Sequence, residues 1–485
     1  MPGRTHWLIV LPRVHVVGLL VIISSSLSNL SADAAQSDFH GSSKTDEKTW
    51  RLSFRRKLIL VLINGFAHYW SHDEHRFNLS GFTQLRRHGT RAAYVQPEFP
   101  TLSLPNQYSL LTGLHVEKHG ISGDIMYNKQ EGKYFTNATH ASDFELGWWN
   151  GSEPVWVTAG KQGIPTVLYW WRGCQVPFAK RSNIECVPFN DSLTTDSLPG
   201  HISSIVDRVK HDRLGFVLIN YEMVDLAAHR NGPYSADVTH YIKRISSVLD
   251  ELQHLLTEAD LWQSTDLMVV SDHGQLSVRL ESTVQFLDDF LDDASTIEAT
   301  ANDGAFMMVF PVAGKEYQVY QELHHKVPNI SVYTVGDLSK KPFWHYATAS
   351  HLSPIVLVAD PGFGIYRRNR FQSFSELPLS LHGYDNDLTA MRAIFYGRGV
   401  DFKERHVNEW IRMVDVYQLI CHLLSIKCHP HDGAWQRVED MLVKETDDLF
   451  SLRRSSSKAV SIRAQIMPAL TTVLCCILSA SLYSQ

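Results

Sequence analysis

The sequence predicts an α/β fold with a mainly parallel central sheet covered by helices on both faces. Three observations lead there. Apolar runs of strand length recur along the chain, from Lys57 to Ile63, from Gly215 to Ile219 and from Asp266 to Val270. A strand that is apolar on both of its alternating sides belongs in a sheet buried on both faces. Segments of helical spacing separate these runs, and this alternation is the pattern of a layered parallel sheet.

The first run ends at Asn64-Gly65-Phe66, the second leads to Glu222, Asp225 and His229, and the third ends in Ser271-Asp272-His273-Gly274. Polar clusters of this kind belong beyond the carboxyl ends of parallel strands, where ligands gather. From Tyr234 to Leu256, Val238, Ile242, Ile245, Leu249, Leu252 and Leu256 recur at steps of three and four and predict one long covering helix. A further helix is predicted with the apolar pattern Tyr108 to Leu114, its N-terminus just after Ser103 and Pro105 near its first turn. No internal repeat is present, and residues 57–442 read as one unit.

Bulk composition narrows the partners. The chain has 485 residues, 44% hydrophobic and 20% charged, which suits a globular protein with a large core. A net charge of −6 supplies no basic field for a phosphate backbone and disfavours a nucleic-acid partner.

Both ends carry processing signals. Residues 1–35 combine Arg4 and Arg13, an apolar run from Val14 to Ile23 and a stretch rich in small residues, the layout of a secretory signal peptide. A membrane-spanning anchor is the alternative, although the run is short for a span. Residues 455–485 begin with three serines, continue through a polar spacer and end in an apolar tail, the layout of a GPI-attachment signal. A type I span is the alternative at this end, so the expected location is the extracellular face of the plasma membrane.

Export agrees with the sequons at Asn78, Asn137, Asn150, Asn190 and Asn329. Of six cysteines, Cys475 and Cys476 fall in the tail. Cys174 with Cys186 and Cys421 with Cys428 are the pairs nearest in sequence and suit an oxidising compartment; free buried thiols are the alternative.

The chemistry-bearing residues are scattered: Asn64, Ser103, Asp225 with His229, Asp272 with His273, and His382 in His382-Gly383-Tyr384-Asp385-Asn386. Aspartate and neutral histidine are ligands that zinc takes from a protein. Ser103 reads either as a helix N-cap or as a nucleophile placed at the positive end of a helix. A serine hydroxyl needs a base or a metal to attack, and a pair of ions can stabilise both the attacking and the leaving oxygen.

In this order, Phe99-Pro100-Thr101-Leu102-Ser103-Leu104-Pro105-Asn106, the Asp225/His229 spacing before Gly232-Pro233, Val270-Ser271-Asp272-His273-Gly274 and the His382 cluster resemble the ectonucleotide pyrophosphatase/phosphodiesterases, over about residues 57–442. The resemblance implies the alkaline-phosphatase-like fold and two zinc ions. Asp225, His229 and His382 match the ligands of one ion, Asp272 and His273 those of the other, and Ser103 the nucleophile.

Serine at the nucleophile position, the segment from Trp148 to Pro154, Cys174 and Cys186 after Tyr169-Trp170, and the GPI-type tail point to the choline-specific glycerophosphodiesterase branch. That branch implies release of phosphocholine from glycerophosphocholine, lysophosphatidylcholine or sphingosylphosphocholine. A nucleotide-cleaving enzyme of the same family is the alternative, and a homodimer stays open. Trp148, Trp149, Tyr169, Trp170, Trp171 and Glu222 are candidates for a choline cage, against an ordinary place in the core.

Two positions depart from the family. It places aspartate, a ligand of the second zinc, where this chain has Asn64, and asparagine, a donor to phosphate, where this chain has Asp124. In one reading Asp124 turns toward the metal and Asn64 toward the substrate, so the local charge is kept. In the other the second metal site is lost and the protein is a binding pseudoenzyme.

Overall fold

The computed structural model describes residues 56–444 apart from 73–76, 78, 137, 150, 179–182, 189–194 and 371–373. The signal-peptide and GPI-attachment segments lie outside the described residues, as do the sequons at Asn78, Asn137, Asn150 and Asn190. Asn329 is described; it is exposed, with φ 58, just before a strand.

In chain order the elements that build the site are β1 (Lys57–Ile63), α1 (Ser80–His88), β2 (Thr90–Ala92), α2 (Ser103–Thr112), α3 (Val155–Lys161), β3 (Thr166–Tyr169), β4 (Ile184–Val187), α4 (Pro199–Lys210), β5 (Phe216–Tyr221), α5 (Met223–Asn231), α6 (Ala236–Glu258), β6 (Thr265–Val270), β7 (Ile297–Ala301), β8 (Phe306–Pro311), β9 (Ile330–Thr334), β10 (Ile355–Ala359), β11 (Phe395–Gly399), β12 (His406–Asn408) and α7 (Asp415–Leu423).

An eight-stranded sheet has the order β12-β2-β11-β6-β1-β5-β3-β4. Strand β1 runs parallel to both β5 and β6, and β3 runs parallel to β5 and β4. Strand β11 is antiparallel to β6 and to β2, which adds a reversed strand toward one edge.

Every residue of β1 is buried because its two faces meet different helices. Ile59, Val61 and Ile63 pack with Phe82 and Leu85 of α1, Ile202 and Ile205 of α4, and Ile242, Ile245 and Leu249 of α6. Leu58, Leu60 and Leu62 face the other way, onto Leu110 and Leu111 of α2, Trp156 of α3 and Leu419 and Ile420 of α7. The period-two alternation of a strand thus serves two apolar layers.

The long helix starts at Ala236, not Tyr234, because Ser235 takes the N-cap position and its hydroxyl accepts from the Val238 amide at 3.2 Å. Helix α2 starts at Ser103 itself, where the expected N-terminus lay just after that residue, and the apolar pattern from Tyr108 forms its second half. Pro105 sits inside its first turn, where no intrahelical amide is needed, and the helix stops at Gly113 with φ 68.

A second sheet, which the sequence reading does not resolve, is four-stranded with the order β7-β8-β10-β9, and each of its pairings is antiparallel. It lies in the chain between the Asp272 and His382 clusters. The chain returns from it through a short antiparallel ladder, Leu276 with Leu381 and Ser277 with Ser380. Both expected disulfides are formed, Cys174–Cys186 and Cys421–Cys428, with Cα–Cα separations of 5.7 and 5.8 Å. Among the described residues no helix is long and apolar enough to cross a membrane.

Candidate active site

The strand ends and the start of α2 bring the scattered polar residues together. Asn64 follows β1 directly, and its amide continues the parallel ladder to the Tyr221 carbonyl at 2.9 Å. Ser103 opens α2, and its side chain does not cap that helix. Its Oγ lies 3.3 Å from Asn64 Oδ1 and 3.1 Å from His273 Nε2. This geometry removes the N-cap reading and leaves Ser103 as the hydroxyl at the centre of the cluster.

Beside it, one oxygen or nitrogen from each of Asp225, His229 and His382 falls within 4.8 Å of the others. Asp225 Oδ2 is 3.4 Å from His229 Nε2, and the Nε2 atoms of His229 and His382 are 3.1 Å apart. The His382 ring stacks on His273 at 3.8 Å, joining this group to the Ser103 group.

Each imidazole is oriented from behind. His229 Nδ1 contacts the Ser380 carbonyl at 2.8 Å, His382 Nδ1 the Thr101 carbonyl at 3.0 Å, and His273 Nδ1 the Gly274 carbonyl at 3.0 Å. A proton on each Nδ1 satisfies those carbonyls and leaves three Nε2 lone pairs directed inward, the usual supporting arrangement of metal-ligating histidines. This donor set fits a zinc ion at Asp225, His229 and His382.

Side-chain amides steady the carboxylates, and sequence reasoning missed them because a lone glutamine carries no motif. Gln275 donates to Asp225 and accepts from Ser380 Oγ at 2.7 Å. Gln107, one turn after Ser103, donates to Asp272 Oδ2 at 3.0 Å, and the Gly65 amide donates to Asp272 Oδ1 at 2.9 Å. Thr101 Oγ1 donates to the Tyr384 carbonyl at 2.9 Å and accepts from the Gly383 amide at 2.9 Å, which locks the His382 loop to the segment entering α2.

The electrostatics follow from burial and the partners. Burial alone would favour a neutral Asp225, but His229, with His382 and His273 behind it, holds that carboxyl well below its ordinary range. His229 is raised: burial opposes its charge, and Asp225 outweighs the burial. Burial, then the charge of His273, pushes His382 far down and keeps it neutral, as a metal ligand must be. Burial also raises Asp272.

Asp124 is raised by burial, against the pull of the Leu104 amide, His273 and Arg172. Its Oδ1 accepts from the Leu104 amide at 2.8 Å, at the positive end of α2. Asn64 and Asp124 therefore both lie at Ser103, Asn64 touching its hydroxyl and Asp124 bonded to the next amide.

The cage candidates occupy the core instead. Trp149 packs on Tyr108 and Phe135 and donates to the Asp143 carbonyl, and Trp148 packs on Phe135 and His351. Tyr169 and Trp170 belong to one apolar layer beside the sheet and Trp171 to the other. Glu222 is held by Arg172 through two bonds of 3.0 Å.

Residues 58–385 match the type I phosphodiesterase/nucleotide pyrophosphatase family. The chain belongs to that family. Human ectonucleotide pyrophosphatase/phosphodiesterase family member 5 is 31% identical over 390 residues, 80% of this chain and 78% of that protein. The bis(5'-adenosyl)-triphosphatase enpp4 of Xenopus laevis is 27% identical over 424 residues, covering 87% of this chain and 88% of its own. The solved structure of an inactive form of murine ectonucleotide pyrophosphatase/phosphodiesterase 5 in complex with AMP superposes with a TM-score of 0.72 at 28% identity, over 80% of this chain and 100% of its own. The fold is accordingly alkaline-phosphatase-like, and the polar cluster lies within the span that this family shares.

Proposed function

We propose that this chain is an extracellular hydrolase that cleaves nucleotide phosphodiesters or phosphoanhydrides, with Ser103 as nucleophile and two zinc ions as cofactors. The observation that carries the reading is the placement of Ser103 Oγ at the first residue of α2, 3.1 Å from His273 Nε2, with the Asp225/His229/His382 group alongside.

Asp225, His229 and His382 would hold one ion; Asp272, His273, Asn64 and Ser103 would hold the other. Bound zinc would lower the proton affinity of the serine hydroxyl and offset charge on the phosphoryl oxygens. Ser103 Oγ would form a bond to phosphorus as the bond to the leaving oxygen breaks, the serine proton passing by way of solvent to that oxygen, and water would then cleave the seryl ester, its oxygen going to phosphorus and one hydrogen restoring the Ser103 hydroxyl. Asn64 Oδ1 accepts the Ser103 hydroxyl hydrogen in the resting geometry and so aims the oxygen. Gln107 and Gln275 keep Asp272 and Asp225 from turning away. The start of α2 directs its positive end at the phosphoryl group.

A nucleotide substrate draws support from the names of the relatives and from the AMP complex of the murine protein. Phosphocholine release draws less support, since the six candidate cage residues are packed in the core or, for Glu222, ion-paired. Secretion is supported by the two disulfides. GPI attachment within residues 455–457 remains part of the proposal.

Incubating the secreted protein with bis(5'-adenosyl) triphosphate and, separately, with glycerophosphocholine tests this reading beside a zinc determination. Turnover of the nucleotide that Ser103→Ala abolishes, with about two zinc ions per chain, is the expected result. Faster release of phosphocholine would transfer the chain to the choline branch. One ion or none, with both substrates intact, would make it a binding protein.

A further inference from the structure

Among the described residues the two larger sheets end in four edge strands, and an open strand edge is a template on which another chain can pair. Three of the four carry guards. Strand β7 has a bulge between Ile297 and Ala299 and presents Glu298, which accepts from the Tyr127 hydroxyl at 3.0 Å and pairs with Lys129 at 3.3 Å. Strand β4 carries Glu185, bound by Arg208 at 2.6 Å, and is tied by the Cys174–Cys186 bridge. Strand β12 is three residues long, and Asn408 at its end donates to the Arg437 carbonyl at 2.8 Å.

Strand β9 has none of these devices. Its sequence, Ile330-Ser331-Val332-Tyr333-Thr334, holds no charge and no proline and is mostly β-branched or aromatic, the composition that pairs most readily. Strand β10 is its single strand neighbour, and among the described residues no backbone group from Ile330 to Tyr333 is hydrogen-bonded outside that pairing. The far end is closed, because the Thr334 amide donates to Asp337 Oδ2 at 3.1 Å within the cap of the next helix. At the near end stands Asn329, exposed, with φ 58, its carbonyl accepting from the Asp360 amide at 2.8 Å. Asn329-Ile330-Ser331 is a sequon. A left-handed turn accounts for an asparagine at 329 but not for Ser331, which is exposed and makes no side-chain hydrogen bond among the described residues.

We propose that an N-linked glycan on Asn329 is the guard of this edge, keeping β9 of one copy from pairing with β9 of another. The inference rests on the extracellular placement proposed above and is independent of the reaction. In the modification, Asn329 Nδ2 bonds to the anomeric carbon of an oligosaccharide as that carbon's bond to a lipid pyrophosphate carrier breaks; the pyrophosphate departs and the amide proton goes to solvent. The sugar is bulky and hydrated, and it is attached one residue ahead of the first open position of the strand. The bond from Asp360 fixes the backbone from which it emerges. Sugar at this edge thus does what a bulge and charges do at the others.

The test uses the secreted full chain. Mass spectrometry of the peptide that contains Asn329 is expected to find the sugar in most molecules; secretion with Asn329 bare would overturn the proposal and leave the extracellular reading standing. Ser331→Ala removes the sequon and keeps Asn329 and its turn. With rising concentration, its mass by light scattering is expected to climb toward about twice the wild-type value. Ser331→Lys also removes the sequon but places a charge on the edge strand, and its mass should stay at the wild-type value. A wild-type mass for Ser331→Ala, or equal association of Ser331→Lys, would refute the proposal. If Ser331→Ala is not secreted, folded wild type and Ser331→Lys, both trimmed by an endoglycosidase that leaves one sugar per site, replace it. Association of the trimmed wild type alone then supports the proposal, and association of both or of neither refutes it.

Discussion

Gly65 is a position where one added methyl group should disturb the Asp225 cluster directly. It has φ +64, and a Cβ added there would lie 2.4 Å from Asp225 Oδ1, 2.7 Å from Gln275 Nε2 and 2.9 Å from Asp225 Cβ. Ordinary contact begins at 3.4 Å, so in Gly65→Ala the Asp225 carboxylate must retreat by about 1 Å, or the turn must open and give up the Gly65 amide bond to Asp272. A misplacement of that size in a reacting constellation costs about a hundredfold in rate. The left-handed backbone adds a separate penalty of about 1–2 kcal/mol.

Gly132 separates the two effects, because it has nearly the same backbone, φ +63, with nothing within 4 Å of an added Cβ. Gly132→Ala should lower the melting temperature and leave turnover of bis(5'-adenosyl) triphosphate unchanged. Gly65→Ala should lower the melting temperature, turnover by about a hundredfold, and bound zinc below the wild-type content. Equal turnover and zinc in the two variants would refute the claim that Asp225 is held in place by the absence of a side chain at Gly65.

Other outcomes follow from the same geometry. Asn64→Asp with Asp124→Asn restores the arrangement of the family; if the exchange has impaired the second metal position, turnover and zinc content should both rise, and if the exchange preserves function neither should. Gln275→Ala leaves Asp225 without its amide donor and should lower turnover about tenfold with intact circular dichroism, since one buried charge-assisted hydrogen bond is lost. Breaking the Cys174–Cys186 bridge, with a sequence separation of 12, should destabilise the protein by about 2–4 kcal/mol in a denaturant titration.

Asp266 gives a prediction of pH dependence. Burial, then the charge of Asp401, raises its carboxyl well above the ordinary range. The folded chain therefore binds a proton that the unfolded chain releases first, and the stability this contributes is present at low pH and is lost as pH rises from the ordinary carboxylate range through the raised value. Asp266→Asn should gain stability relative to wild type as pH increases across that window. A difference between the two that does not vary with pH would show that the proton is not there.

Strand β1 was legible to the residue because both of its faces are covered, so no polar position interrupts Lys57–Ile63. The members of the polar cluster were legible because Asp272 and His273 follow such a run directly and Asp225 stands a few residues beyond another. The start of α2 was legible to within a residue because a proline such as Pro105 is tolerated in a first turn, which placed the N-terminus just after Ser103. The second sheet is not announced by the sequence because β7 and β9 mix polar with apolar positions, and β10 joins β8 and β9 only across long intervening segments. Gln107 and Gln275 act through partners far away in sequence, Asp272 and Asp225, and no local spacing announces them.

The ladder that pairs Leu276 with Leu381 and Ser277 with Ser380 has an evolutionary consequence. It closes the long excursion between those residues at its neck, and the Leu379 amide adds a bond to the His229 carbonyl at 2.7 Å there. The neck is not the sole tie, because Phe99 packs on Phe306, Trp344 and Tyr346, Trp344 donates to Asp385 and Tyr384 donates to the Phe363 carbonyl. Lineages could therefore vary the stretch between Val278 and Leu379 while the chemistry beneath it stays in register only where both the neck and those few contacts are kept.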